Sequence, residues 1–144
     1  MATCTVPDVL GGESILGPSL GHGGALAQLV REGLPVKALS ELAARLNLRQ
    51  AEISEKIGIP KRTLTRRLAQ QLRLTAAESD RIVRLAQVYS NAVETLGDPT
   101  QAANWLKTPN RALRGNRPLD QLDTDPGVRE VEELLGRISY GVYS

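Results

Sequence analysis

Two side chains of this 144-residue chain belong to types that begin chemistry on their own: a single thiol, Cys4, and a single imidazole, His22. A nucleophile needs a base held beside it, and a metal site needs three or four converging ligands. Both residues lie in the stretch 1–24, which contains Gly11-Gly12, Gly17-Pro18, Gly21 and Gly23-Gly24. That density of chain breakers predicts a flexible arm, a poor frame for catalysis. There is no Cys/His pair, phosphate loop or metal cluster, so the expectation is a protein that is not an enzyme and uses no cofactor. A lone cysteine makes no internal disulfide, which fits a reducing cytoplasm. The abundant reactive type is instead arginine, 14 residues against 4 lysines. Its planar fork suits phosphates and base edges.

The placement of charge is uneven. Residues 45–84 carry ten basic and four acidic groups, while 1–44 and 85–144 each carry two more acidic than basic groups. A basic block between acidic ones is a candidate polyanion surface, with a solvated helix face as the plain alternative. The N-terminal residues lack a basic region followed by an apolar one, so no secretory signal is expected, and no apolar run is long enough to cross a membrane.

The elements that must carry these charges read as helices. With no Phe, three Tyr and one Trp, the core falls to Leu, Ile, Val and Ala, which favours packed helices over a sheet sandwich. Leu26, Leu29 and Val30 share a helical face that Gly33 closes. Val36, Leu39, Leu42, Ala43 and Leu46 follow helical spacing after Pro35. Gln50 through Ile57 form a short helix stopped by Gly58, and Leu64 with Leu68 mark the next. Thr75 and Glu78 make a capping box that opens a long helix running to Gly97. Asp98-Pro99 caps another, and Thr124 or Asp125 caps a last one with Val128, Val131, Leu134, Leu135 and Ile138 buried. The predicted class is all-α.

The segment Gln50–Leu68, QAEISEKIGIPKRTLTRRL, resembles the helix-turn-helix of Xre/Cro-type repressors. Ile53 and Ile57 pack the first helix, Ser54 is small enough for a close crossing, Gly58 permits the turn, and Ile59 and Leu64 seat the second helix. The resemblance implies that Lys61, Arg62, Thr65 and Arg66 enter the major groove and that Gln50 meets a phosphate. One departure is Arg67, where a second apolar anchor is expected and the chain offers Leu68 instead. That leaves open whether Arg66 or Arg67 faces the groove.

The segment Trp105–Leu122, WLKTPNRALRGNRPLDQL, and its continuation through Gly127–Ile138 and Tyr140–Tyr143 resemble the toxin-binding domain of Xre, MbcA and ParS-like antitoxins. This resemblance covers about residues 30–144. It implies a type II antitoxin whose partner is a RES-domain toxin, an NAD-consuming protein of ADP-ribosyltransferase-like fold. The toxin contacts expected are Trp105, Asn110, Arg137, Tyr140, Gly141, Val142, Tyr143 and Ser144. Read from the residues alone, Trp105, Leu106, Ala112, Leu113 and Leu119 serve equally as core, and Asn110 as a turn residue. Tyr140 and Tyr143 suit an interface or fold back on the last helix. In the tail reading, Gly141 frees the backbone, the tyrosine rings and Val142 fill the nucleotide pocket, the Ser144 carboxylate takes the pyrophosphate site, and Arg137 pairs at the cleft rim.

The expected organisation is a flexible arm over 1–24, a helix-turn-helix DNA-binding and dimerisation domain over 25–88, and a toxin-binding domain with a C-terminal plug over 89–144. The expected protein is a cytoplasmic, homodimeric antitoxin that binds its promoter DNA and blocks a RES toxin's active site. The alternative is a stand-alone Xre-type transcription regulator whose C-terminal half dimerises or senses a ligand.

Overall fold

A computed structural model describes residues 4–17 and 24–141. Its regular elements are helical: α1 (Val6–Val9), α2 (Glu13–Leu16), α3 (Ala25–Glu32), α4 (Lys37–Leu46), α5 (Gln50–Ile57), α6 (Lys61–Gln70), α7 (Ala76–Leu96), α8 (Pro99–Leu106) and α9 (Asp125–Ser139). Two short 3-10 turns, Arg111–Leu113 and Pro118–Gln121, lie between α8 and α9. The all-α expectation is met.

The local reasons are chemical. Thr75 Oγ1 accepts from the Glu78 amide at 3.2 Å, and Glu78 returns a carboxylate oxygen to the Thr75 amide at 2.9 Å, so the first turn of α7 has two of its open donors satisfied. Asp98 accepts from the Gln101 amide at 2.8 Å and starts α8. At α9 the cap is Thr124, whose Oγ1 accepts from the Gly127 amide at 3.1 Å. Gly127 is needed there for room: a Cβ would stand 1.8 Å from the Gln121 carbonyl oxygen.

Helix α7 is the spine. It packs on α9, α8, α3, α1, α4 and α5. Its Ile82, Leu85, Ala86, Val88, Tyr89 and Ala92 are buried in one continuous core that reaches from the helices before it to those after it. The expected division between residues 88 and 89 therefore falls inside a single helix. Burial of Ser79 follows from a bond across the fold, because the Leu34 amide donates to its Oγ at 2.8 Å.

The expected arm requires correction over residues 4–17. Val9 and Leu10 are fully buried and Leu16 nearly so. Thr5 and Asp8 form a capping box that starts α1, and α1 lies against α7 and α4. The Arg45 guanidinium donates to the Asp8 carbonyl at 3.2 Å, and Ser90 Oγ donates to the Cys4 carbonyl. The glycines here close turns: Gly11 has φ +105°, and a Cβ on it would come 2.3 Å from Ile15 Cδ1. Cys4 is half-buried in this packing, and burial raises its thiol pKa, which keeps the thiol protonated. His22 lies outside the described residues.

Candidate DNA-reading and partner-binding surfaces

Helices α5 and α6 meet at Gly58, which adopts a left-handed conformation at φ +84°. Ser54 is buried, and its Oγ donates to the Ile59 carbonyl at 2.8 Å, so it ties the turn as well as allowing the crossing. Arg81 of α7 donates to the Ile57 carbonyl at 2.7 Å and holds the end of α5 from behind. Ile53, Ile57, Ile59 and Leu64 are buried beneath the turn. Packing on one side of this pair leaves the other side of α6 in solvent.

On that outer side Lys61, Arg62, Thr65 and Arg66 are exposed, and Gln50 is exposed at the first position of α5. Thr65 Oγ1 bonds the Lys61 carbonyl at 3.0 Å. Arg67 behaves differently. Its guanidinium pairs with Glu78 of α7, and both side chains are mostly covered, 16% and 14% exposed. Burial by itself raises the Glu78 pKa. The bonds from the Thr75 amide and Arg67 outweigh that and hold the carboxylate below its ordinary range. Arg67, read from the sequence as a groove candidate, thus anchors α6 to α7. It stands where an apolar anchor was expected and does the same work by charge. Leu68 is partly buried beside it.

The residues expected to meet a partner protein are spread over α8, the loop after it and the end of α9. Trp105 is half-buried against the core. Asn110 caps the turn Arg111–Leu113, with Oδ1 accepting from the Ala112 amide at 2.9 Å, and its amide donates to the Asn116 carbonyl at 3.0 Å. That is the turn role open to it from the sequence. Leu113 and Leu119 are buried, whereas Ala112 is exposed. At the end of α9, Arg137 is exposed, Tyr140 is 85% exposed, and Gly141 turns the chain at φ +70°. Tyr140 does not fold back on its helix. Val142, Tyr143 and Ser144 lie outside the described residues.

One charged cluster has no counterpart in the sequence reading. Arg117 holds Asp120 through two bonds of 2.8 and 2.9 Å, Lys56 pairs with the same carboxylate, and Arg117 also reaches Glu52 at 3.5 Å. The Arg117 bonds, with help from Lys56 and against the cost of burial, push the Asp120 pKa down to about 2. The cluster fastens the first helix of the helix-turn-helix to the segment before α9. Its two sides, Glu52 with Lys56 and Arg117 with Asp120, are more than sixty residues apart in the chain, a separation that periodicity and caps do not report.

Comparison with known proteins divides along the same lines. A model of the antitoxin Xre-like helix-turn-helix domain matches residues 25–87, and a model of the antitoxin Xre/MbcA/ParS C-terminal toxin-binding domain matches residues 91–141. The chain is similar to Antitoxin Xre of Yersinia enterocolitica, at 35% identity over 130 residues that span 90% of this chain and 88% of the relative. It is similar to Antitoxin Xre of Photorhabdus laumondii at 36% identity, over 83% of this chain and 81% of the relative. A Sphingobium relative named Prs ADP-ribosylating antitoxin is 26% identical over 81% of this chain and 79% of its own length. Among solved structures, a chain of the Mycobacterium tuberculosis MbcT–MbcA toxin–antitoxin complex superposes with a TM-score of 0.57 at 26% identity, covering 76% of this chain and 96% of that one. With matched segments over both halves and relatives above one-third identity over most of their length, the chain belongs to the Xre/MbcA/ParS antitoxin family.

Proposed function

We propose that this antitoxin neutralises a RES-type, NAD-consuming toxin by placing the end of α9 and the residues after it in the toxin's nucleotide pocket, and that it binds its own promoter as a homodimer in the cytoplasm. The observation that carries the reading is Tyr140, 85% exposed one position past the last helix, beside exposed Arg137. Tyr is favoured at interfaces, where its rigid ring buries apolar area while the hydroxyl finds a bonding partner. A flat ring competes with the rings of NAD for a stacking surface. The relative whose name includes ADP-ribosylating lends support, since ADP-ribosylation takes its group from NAD. Trp105 and the turn begun by Asn110 would form the broader contact. Inhibition is steric, with no catalytic step in the antitoxin.

On the DNA side, Lys61, Arg62, Thr65 and Arg66 would read base edges in the major groove, and a two-fold dimer would double a short contact. The deciding experiment follows NAD consumption by the RES-domain toxin. Full-length antitoxin is expected to stop turnover at one-to-one stoichiometry. A variant ending at Ser139 is expected to lose inhibition while its helicity by circular dichroism stays unchanged. A folded truncated protein that still blocks turnover would remove the plug and shift inhibition to the surface around Trp105.

A further inference from the structure

The corner between α4 and α5 is basic, and the two halves of the chain build it together. Lys107, just past α8, donates from Nζ to the carbonyl of Asn47 at 3.4 Å. Asn47 caps α4, three residues before α5 begins at Gln50. Arg49 is exposed at the cap position of α5, where no side chain bonds the first-turn amides. Neither Arg49 nor Lys107 has a carboxylate within ion-pair distance among the described residues. Glu52, the one acidic residue in the first turn of α5, is met by Arg117 at 3.5 Å. The C-terminal half therefore does two things at this corner. Lys107 adds a cation, and Arg117 offsets the carboxylate that would repel an anion.

A polyanion with regularly spaced charges matches this surface, and it adjoins the helix pair whose second member exposes Lys61, Arg62 and Arg66. We infer that the backbone of bound duplex DNA runs over this corner, and that Lys107, from the half matched by the toxin-binding model, contacts a phosphate together with Arg49. The inference rests on the DNA-binding reading above. It adds that the second half of the chain belongs to the DNA interface, through a contact that positions the protein without reading sequence.

The test uses the full chain with a duplex from the upstream region of its own gene and an unrelated duplex of equal length, titrated between 50 and 200 mM salt. Lys107→Ala is expected to weaken both duplexes about five- to tenfold at 0.1 M salt and to lower the slope of log affinity against log salt by about 1. Lys107→Arg keeps the charge and is expected to restore the slope. Arg62→Ala should weaken the upstream duplex selectively. If Lys107→Ala keeps wild-type affinity and slope while Arg62→Ala loses preference, the corner is not on the DNA path and the DNA reading stands. Lys107→Arg as weak as Lys107→Ala would also overturn the phosphate contact. A wild-type protein with no salt-dependent binding to either duplex would overturn both.

Discussion

Helix α6 spans ten residues and buries one of them, Leu64; the N-terminal segment 4–17 buries Val9, Leu10 and Leu16. The helix is held by that leucine, a partly buried Leu68 and the pair of Arg67 with Glu78. The segment is held by apolar side chains inserted against α7 and α4, with two bonds from Arg45 and Ser90 at its backbone. Burial of apolar surface scales with area and is not screened by simple salt, whereas an ion pair responds to pH and is screened in proportion to its exposure. Under the DNA-binding proposal the two regions therefore separate stability from function. The segment contributes to the fold, and the outer face of α6 can change without unfolding the protein.

The largest effect expected from this contrast is at Leu10, which is fully buried. Leu10→Ala should cost about 2–5 kcal/mol, as other leucine truncations in packed cores do. In a protein of this size that is a fall of roughly 5–20 °C in melting temperature. Calorimetry or thermal unfolding by circular dichroism checks it. An unchanged melting temperature would return residues 4–17 to a free arm and erase the contrast.

A middle-sized effect distinguishes two neighbours on α6. Arg67→Ala strands Glu78, which is 14% exposed, and should cost about 1–2 kcal/mol in urea unfolding. Arg66→Ala removes an exposed side chain and should stay within about 0.5 kcal/mol of wild type. Under the DNA-binding proposal the order reverses in a binding assay, with Arg66→Ala losing more affinity for promoter DNA. Equal stability costs would show that the Arg67–Glu78 pair does not anchor α6.

These two positions mark how far the sequence could be read. Signals spanning three or four residues were legible: the Thr75–Glu78 box, Gly97 at the end of α7, Asp98-Pro99 opening α8, and the bounds of α5 at Gln50 and Ile57. Such signals act locally, through backbone donors and φ values. The choice between Arg66 and Arg67 was not legible, because it depends on Glu78 lying one helix away. The N-terminal segment misled for a related reason. Glycine density reports conformational freedom in the unfolded chain, and Gly11 uses that freedom to pack its backbone against Ile15. Nothing near Leu10 in the chain announces the α7 face that covers it. The exposure of Tyr140 followed the same limit, since aromatic type alone leaves both interface and fold-back open.

The smallest effect concerns Asp120, which adds charge pairs across a junction that the continuous apolar core also spans. Arg117 and Lys56 hold its pKa at about 2, below the value near 3.9 of an unfolded aspartate. A depressed folded pKa means that the stabilisation is complete above the unfolded value and is lost as pH falls from about 4 through about 2. The side chain is 36% exposed, so solvent screening reduces its worth to about 1 kcal/mol or less. Asp120→Asn keeps the shape and removes the charge. Urea unfolding at pH 6 should show the variant slightly less stable, and the gap should close as the pH is lowered toward 2. Added salt should narrow the gap at pH 6 as well, while leaving the Leu10→Ala cost in place. A gap that persists unchanged at pH 2 would mean that Asp120 contributes through packing, and the junction would then resemble the N-terminal segment after all.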